Sequence, residues 1–167
     1  MLKPVPIITT AAEEDLPTVQ RIAYDTWPIA YTGVISAEQI AYMLEMMYSL
    51  PSLERQMKEE GCEFLLVQFG RDMAGFAAYS EEEPGKFKLH KLYVLPQMQH
   101  LKLGRTLLYE VCMRAKARGG KLLMLQVNKN NKAQSFYERN GFNVARAITV
   151  DIGHGYVMDD YVMEKAL

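Results

Sequence analysis

Between Leu92 and Leu108 the chain passes from an apolar, aromatic run (Leu92, Tyr93, Val94) through Pro96 and a polar turn into a helical pattern that opens near Gly104. A strand feeding a helix N-terminus leaves several backbone N–H groups unpaired and directed outward, which makes a receptor for phosphate groups. Lys102 and Arg105 add positive charge at the same turn. The chemistry on offer is retention of a phosphorylated ligand, although a glycine in the first turn of a helix is as often a plain structural junction.

The elements that must position this turn are read from periodicity. Pro6 to Thr10 reads as a strand, and Thr10 with Glu13 has the spacing of a capping box that opens a helix with Leu16, Val19, Ile22 and Ala23 on one face. Trp27 to Gly33 reads as an aromatic loop. Ser36 with Gln39 opens a second helix carrying Ile40, Met43, Leu44 and Met47, and a short third helix is expected from Leu53 to Glu60, stopped by Gly61. Period-two runs at Glu63 to Phe69, Met73 to Ser80 and Lys86 to Val94 predict an antiparallel meander. A helix from Gly104 to Arg118 follows, with Leu107, Leu108, Val111, Cys112 and Ala115 as its apolar stripe, so that Cys112 is expected to be buried. The apolar run Leu122 to Val127 predicts a strand covered on both faces. Asn130 or Asn131 caps a helix that runs through Asn140, and Asn143 to Ile152 and Tyr156 to Lys165 read as two final strands. The order predicts an α/β sandwich on a mixed sheet, with residues 1–167 forming a single domain.

Composition excludes several classes of function. Lys plus Arg number 19 against 20 Asp plus Glu, so no surplus of positive charge is available for a nucleic-acid backbone or an anionic membrane. No run approaches the roughly 20 apolar residues of a membrane span, and the cytoplasm is the expected location. Cys62 and Cys112 have no metal-ligand spacing, and no metal is expected. The 11 methionines include Met43, Met46, Met47 and Met57, which core packing explains better than a substrate wall; the same apolar first third leaves a homodimer open.

A second segment, Leu125 to Phe142, gives the first its meaning. Here Asn130, Ala133, Phe136, Tyr137, Gly141 and Phe142 fall in the register N-x-x-A-x-x-F-Y-x-x-x-G-F. Together with Val94-Leu95-Pro96 and the turn from Gln99 to Gly104, this resembles the GCN5-related N-acetyltransferase (GNAT) family, and the order of elements resembles its fold over essentially the whole chain. The resemblance implies a three-layer α/β/α sandwich with a mixed, mostly antiparallel central sheet. One position departs from the pattern: Lys102 stands where the first loop glycine is usual, and His100 where glycine is frequent. A side chain at position 102 leaves the backbone amide available provided φ is negative, and its ammonium is itself within reach of a phosphate.

The resemblance also implies the chemistry: direct attack of an amine on the thioester of acetyl-CoA. It lays the pantetheine along Leu92, Tyr93 and Val94, with the pyrophosphate on the loop formed by Gln99, His100, Leu101, Lys102, Leu103, Gly104, Arg105 and Thr106. Asn130 touches the cofactor from the other side, next to Ala133 and Phe136. Tyr137 matches the tyrosine that protonates the leaving thiolate; out of register it would be a packed helix tyrosine. His90 is the preferred general base, standing where spermidine/spermine acetyltransferases carry a glutamate, with an unperturbed pKa of about 6.5. An exposed strand histidine explains it equally well. Glu81, Asp159 and Asp160 are weaker options. Trp27, Tyr31 and Tyr42 belong to the acceptor side.

The motif Leu89 to Pro96 and the tail Met158 to Lys165 are similar to those of PaiA-type polyamine acetyltransferases. That implies a small cationic amine as acceptor, drawn by Glu81 to Glu83 and by Asp159 and Asp160, which are otherwise ordinary surface. Protein N-terminal or lysine amines are a variant, and a non-catalytic acyl-CoA-binding module on the same fold is the alternative that Lys102 keeps open.

Overall fold

The computed structural model describes residues 2–167. A seven-stranded sheet of order β1-β2-β3-β4-β5-β7-β6 forms the middle layer. Its strands are β1 (Pro6–Thr10), β2 (Glu63–Phe69), β3 (Asp72–Glu83), β4 (Lys86–Val94), β5 (Leu122–Asn128), β6 (Asn143–Gly153) and β7 (Tyr156–Ala166). Every neighbouring pair is antiparallel except β4 with β5. Helices α1 (Leu16–Ala30), α2 (Ala37–Tyr48) and α3 (Leu50–Lys58) cover one face; α4 (Leu103–Ala117) and α5 (Ala133–Arg139) cover the other. The fold is the expected three-layer α/β/α sandwich on a mixed, mostly antiparallel sheet. No helix among the described residues is long and apolar enough to cross a membrane.

The two cores come from strict alternation along the strands. Phe64 and Leu66 of β2 pack toward α1 and α2, while Leu65 and Val67 pack toward α4. Trp27 anchors the first core, its ring 4.4 Å from that of Tyr31, 5.7 Å from Tyr48 and 5.8 Å from Tyr93. That packing extends α1 through the segment read as a loop: Trp27 to Ala30 complete the helix, with Pro28 inside it. The entry to α1 also differs. Thr10 ends β1 and accepts from the Arg114 guanidinium at 2.7 Å, while the Asp15 carboxylate accepts from the Ala12 amide at 2.8 Å. Arg114 also binds Glu63 and Glu110, each at 2.9 Å, and so ties α4 to β1 and β2.

Other boundaries shift for local reasons. Ser49 caps α3 with Pro51 in the first turn, so that helix begins at Leu50. β3 runs on to Glu83, and the β3–β4 turn narrows to Pro84 and Gly85. Cys112 is only partly buried, at the margin of the second core. β5 is less covered than its apolar run suggests: Leu123, Leu125 and Val127 are buried, while Met124 and Gln126 are half-buried on the other face.

Two irregularities shape the centre of the sheet. β4 pairs with β5 only from Lys86 to Leu89, against Leu122 to Leu125, and beyond that the strands part. In β4 the register against β3 jumps from Tyr79 opposite Leu89 to Ala78 opposite Lys91, so His90 is the extra residue of a bulge. The bulge inverts the alternation. Phe87 and Leu89 pack with the α4 core before it, Leu92 and Val94 do so after it, and Tyr93 turns to the α1 side.

Gly75 lets β3 press against this part of β4. A Cβ there would lie 2.6 Å from the Tyr93 carbonyl oxygen and 3.0 Å from Val94 Cγ2. Gly75→Ala is expected to destabilise the protein by about 1–3 kcal/mol, the usual cost of overpacking, read from the midpoint of urea unfolding. An unchanged midpoint would mean that the two strands do not approach this closely in solution.

Candidate functional site

β4 ends at Val94, where the Leu95 amide donates to Ala74 O at 2.8 Å, and a 3-10 turn from Pro96 to Leu101 leads to α4. Lys102 links the two with φ 58° and ψ 27°, the left-handed region, so the condition of a negative φ at this position is not met. Its carbonyl accepts from the Thr106 amide and from Thr106 Oγ1, both at 3.2 Å. The amides of Leu103, Gly104 and Arg105 precede the first helical bond of α4 and have no acceptor inside the helix. The Leu103 side chain is fully buried and Leu101 packs beside it, so these two anchor the turn while its backbone faces outward. His100, Lys102 and Gln99 are exposed, and the Gln99 amide donates to Val94 O at 3.2 Å, bracing the end of the strand.

The two sequence motifs meet at Gly104. A Cβ on it would stand 3.7 Å from Phe136 Cζ and 3.9 Å from Val94 Cγ2. Neither Asn130 nor Asn131 is the N-cap of α5, which is Lys132, but Asn131 Oδ1 accepts from the Ala133 amide at 2.9 Å just before the helix; the exposed Asn130 donates its amide to Asn128 Oδ1 at 2.9 Å. Tyr137 is buried with its ring edge-on to Phe136 and Phe142, centroids 5.2 and 5.6 Å away. Burial, and secondarily the nearby Tyr31, hold its phenol well above the ordinary value, so it keeps its proton.

On the α1 side of the gap between β4 and β5 lies a cavity of about 230 Å³. Trp27 and Tyr31 line it as expected, and Tyr31 shares a hydrogen bond of 3.1 Å with the Tyr93 hydroxyl. Met43, Met46, Met47 and Met158 give it an apolar wall. Met43, Met46 and Met47 thus line a cavity, where the sequence favours packing, while Met57 packs on the core. Tyr42 does not line the cavity; it ties α2 to β6 by donating to Ile152 O at 2.7 Å.

The polar lining differs most from expectation. Glu81 is outside the cavity: its carboxylate accepts from the Gly85 amide at 3.1 Å and closes the β3–β4 turn. Its neighbour Glu82 takes the place beside His90, with Oε1 3.1 Å from His90 Nε2; Ser80 Oγ lies 2.7 Å from the same nitrogen and 3.1 Å from the same carboxylate. Burial, then Lys88 and Lys91, outweigh Glu82 and push His90 down to about 4, so the imidazole is neutral at neutral pH. Asp159 is tied at the surface to Lys129 at 2.9 Å. Asp160 instead reaches the cavity, with Oδ1 buried and without a partner, and burial followed by Asp159 raises its carboxyl to about 6.

Lys88 and Lys91 were not foreseen from sequence, and both line the cavity. Lys91 is 5% exposed, its ammonium 4.8 Å from the centre of the Tyr48 ring, and burial lowers it to about 8. The signal that could have found it is the bulge at His90, which sequence alternation does not report. Among the described residues no group of three or more His, Cys, Asp or Glu side chains could hold a metal ion.

A sheet that splays beside a phosphate-receptive helix start, with a lined cavity across the gap, is the build of an acyl-CoA-dependent acyltransferase. Residues 31–161 match the model of the acetyltransferase (GNAT) domain, and the chain belongs to that family. It is an acetyl-CoA-dependent N-acetyltransferase. A spermidine N1-acetyltransferase from Thermoplasma acidophilum is 32% identical over 136 residues, which are 78% of this chain and 84% of the relative. The crystal structure of a PaiA N-acetyltransferase from the same organism, in complex with coenzyme A, superimposes with a TM-score of 0.81 at 29% identity, covering 98% of this chain and 99% of that one. A GCN5-related N-acetyltransferase from Rhodopseudomonas palustris shares the fold, with a TM-score of 0.84 at 22% identity over 100% of this chain and 99% of that one.

Lys91 makes a test of this electrostatic description. The groups acting on its ammonium are Cys62 and Glu60, which favour the proton, and Lys88, which opposes it. Its value in the folded chain, about 8, lies below the ordinary 10.5, so the unfolded chain binds this proton more tightly and folding is penalised at neutral pH. Lys91→Met is expected to raise stability at pH 7 by about 1–3 kcal/mol. The gain should shrink as pH rises from about 8 toward 10.5, where the wild-type amine is neutral in both states. Unfolding curves at several pH values check this, and a gain independent of pH would contradict it.

Proposed function

We propose that the chain transfers the acetyl group of acetyl-CoA to the primary amine of a small molecule seated in the cavity between α1, α2 and the splayed strands. The observation that carries this reading is the parting of β4 from β5 after Leu89. It leaves the backbone of β4 from His90 to Val94 without a partner strand on that side, next to the free amides of Leu103, Gly104 and Arg105. Unpaired backbone groups of this kind suit a ligand that carries amides along its length and a diphosphate at its end. Leu92, Tyr93 and Val94 would hold the pantetheine, the turn from Gln99 to Thr106 the pyrophosphate, and Asn130, Ala133 and Phe136 the opposite side.

In the reaction the amine nitrogen bonds to the thioester carbonyl carbon, the C–S bond breaks, and the products are an amide and the coenzyme A thiol. The ammonium must first lose a proton. His90 is neutral at neutral pH and accepts it, and the Glu82 carboxylate at 3.1 Å stabilises the imidazolium formed. Tyr137 supplies a proton to the departing sulfur. Burial raises its phenol, so it stays protonated at neutral pH and available as a donor.

The acceptor is an amine with an aliphatic stem that fits the methionine wall. The spermidine-acting relative supports a polyamine, whereas Lys88 and Lys91 on the cavity wall disfavour a polycation. The two unpaired cysteines suit a reducing compartment such as the cytoplasm.

Thiol release from acetyl-CoA in the presence of an amine panel tests the reading; binding of coenzyme A without thiol release on any amine would leave only a binding module. Tyr137→Phe is expected to lower kcat about 100-fold with the Kd for coenzyme A nearly unchanged, and an undiminished rate would remove Tyr137 from the mechanism. His90→Ala should cost about 100-fold at pH 7, and the loss should narrow as pH approaches the acceptor's own pKa and free amine forms unaided. A loss equal at every pH would argue against a base.

A further inference from the structure

We infer that the amine acceptor carries a carboxylate, which Lys91 and Lys88 hold while Asp160 receives the ammonium, so that the substrates are small amino acids and not polyamines. This rests on the cavity of the proposed function being the acceptor site.

Two features of opposite sign carry the inference. Lys91 is a lysine 5% exposed whose ammonium takes part in no ion pair and no hydrogen bond among the described residues; the Tyr48 ring face lies 4.8 Å from it, and Cys62 and Glu60 act on it without bonding it. A buried ammonium without an acceptor costs stability unless something else supplies the anion. Asp160 is the converse case: a buried residue on the same cavity wall, with Oδ1 out of contact with solvent and unbonded. The two groups do not pair with each other, and both residues line the same cavity of about 230 Å³.

The other charged groups around the cavity agree. Lys88 adds a second positive charge, felt at Lys91, His90 and Asp160 alike. Glu82 is committed to His90 and Ser80, and Glu81 and Asp159 are engaged at the surface. The lining available to a ligand is thus two ammonium groups and one carboxylate, and burial still leaves Lys91 and Asp160 mostly charged at neutral pH. A polyamine would bring several positive charges to two that cannot move away. A ligand with one ammonium and one carboxylate satisfies Asp160 and the lysines together, and its stem lies on Met43, Met46, Met47 and Met158.

Acceptor pairs that differ only in the carboxylate test this at saturating acetyl-CoA: L-lysine against cadaverine, and L-methionine against 3-(methylthio)propylamine, with spermidine alongside. At least one amino acid is expected to exceed its decarboxylated partner in kcat/KM by about tenfold or more, the ordinary worth of a buried charged hydrogen bond. Lys91→Met should bring that ratio close to one, and Lys88→Gln, at a half-buried position that tolerates the change, should lower it by a smaller factor. The inference is overturned if spermidine or cadaverine surpasses every amino acid in the wild type, or if the ratio survives Lys91→Met in a variant that still folds and turns over amines. Thiol release with none of the five compounds, despite coenzyme A binding, would instead sink the acyl-transfer reading and this inference with it.

Discussion

One inserted residue governs the site. His90 has no partner on β3, and around it β4 bends, leaves β5 and changes the face to which its side chains point. Bulges commonly combine these effects, because the unpaired residue both breaks the ladder and adds half a pleat. In this chain the break opens the gap beside α4, and the change of face sends Lys91 and Tyr93 to the cavity while Leu92 and Val94 return to the core. The gap beside β5 and the cavity next to it are therefore two consequences of one local event.

The surroundings hold that event in place. Gly75 allows β3 within van der Waals reach of Tyr93 and Val94, and the Gln99 amide bonds the carbonyl that ends β4. Phe136 packs over Gly104 and Val94, which couples the helix bearing Tyr137 to the turn that opens α4. Lys102 adopts a left-handed conformation that favours glycine, and the exposed loop keeps its ammonium free at the helix start. Strain of this kind is tolerated where the neighbouring structure over-determines the backbone, as the two hydrogen bonds donated by Thr106 to Lys102 O do here.

Electrostatics in the cavity follow from burial more than from pairing. His90, Lys91 and Asp160 are each shifted toward neutrality with desolvation as the leading cause, and only His90 has an oppositely charged partner in contact. A cavity with unspent charges of both signs selects for a ligand that supplies their complements. The apolar methionine wall adds flexible packing without a competing hydrogen bond.

Much of this molecule was legible before any coordinates. The order of elements, the extents of β2 and β4, the Ser36 cap of α2 and the turn that leads into α4 all depend on periodicity and on hydrogen bonds between residues close in the chain, which a single sequence records directly. The register of Asn130 to Phe142 likewise pointed to the family. Other features depended on partners distant in sequence. Thr10 left its expected cap for Arg114, 104 positions away, and Trp27 extended a helix because Tyr48 and Tyr93 pack against it. Glu82 rather than Glu81 met His90, and Lys91 turned inward, because strand register and a single bulge decide which face a side chain occupies, and neither leaves a mark in residue type.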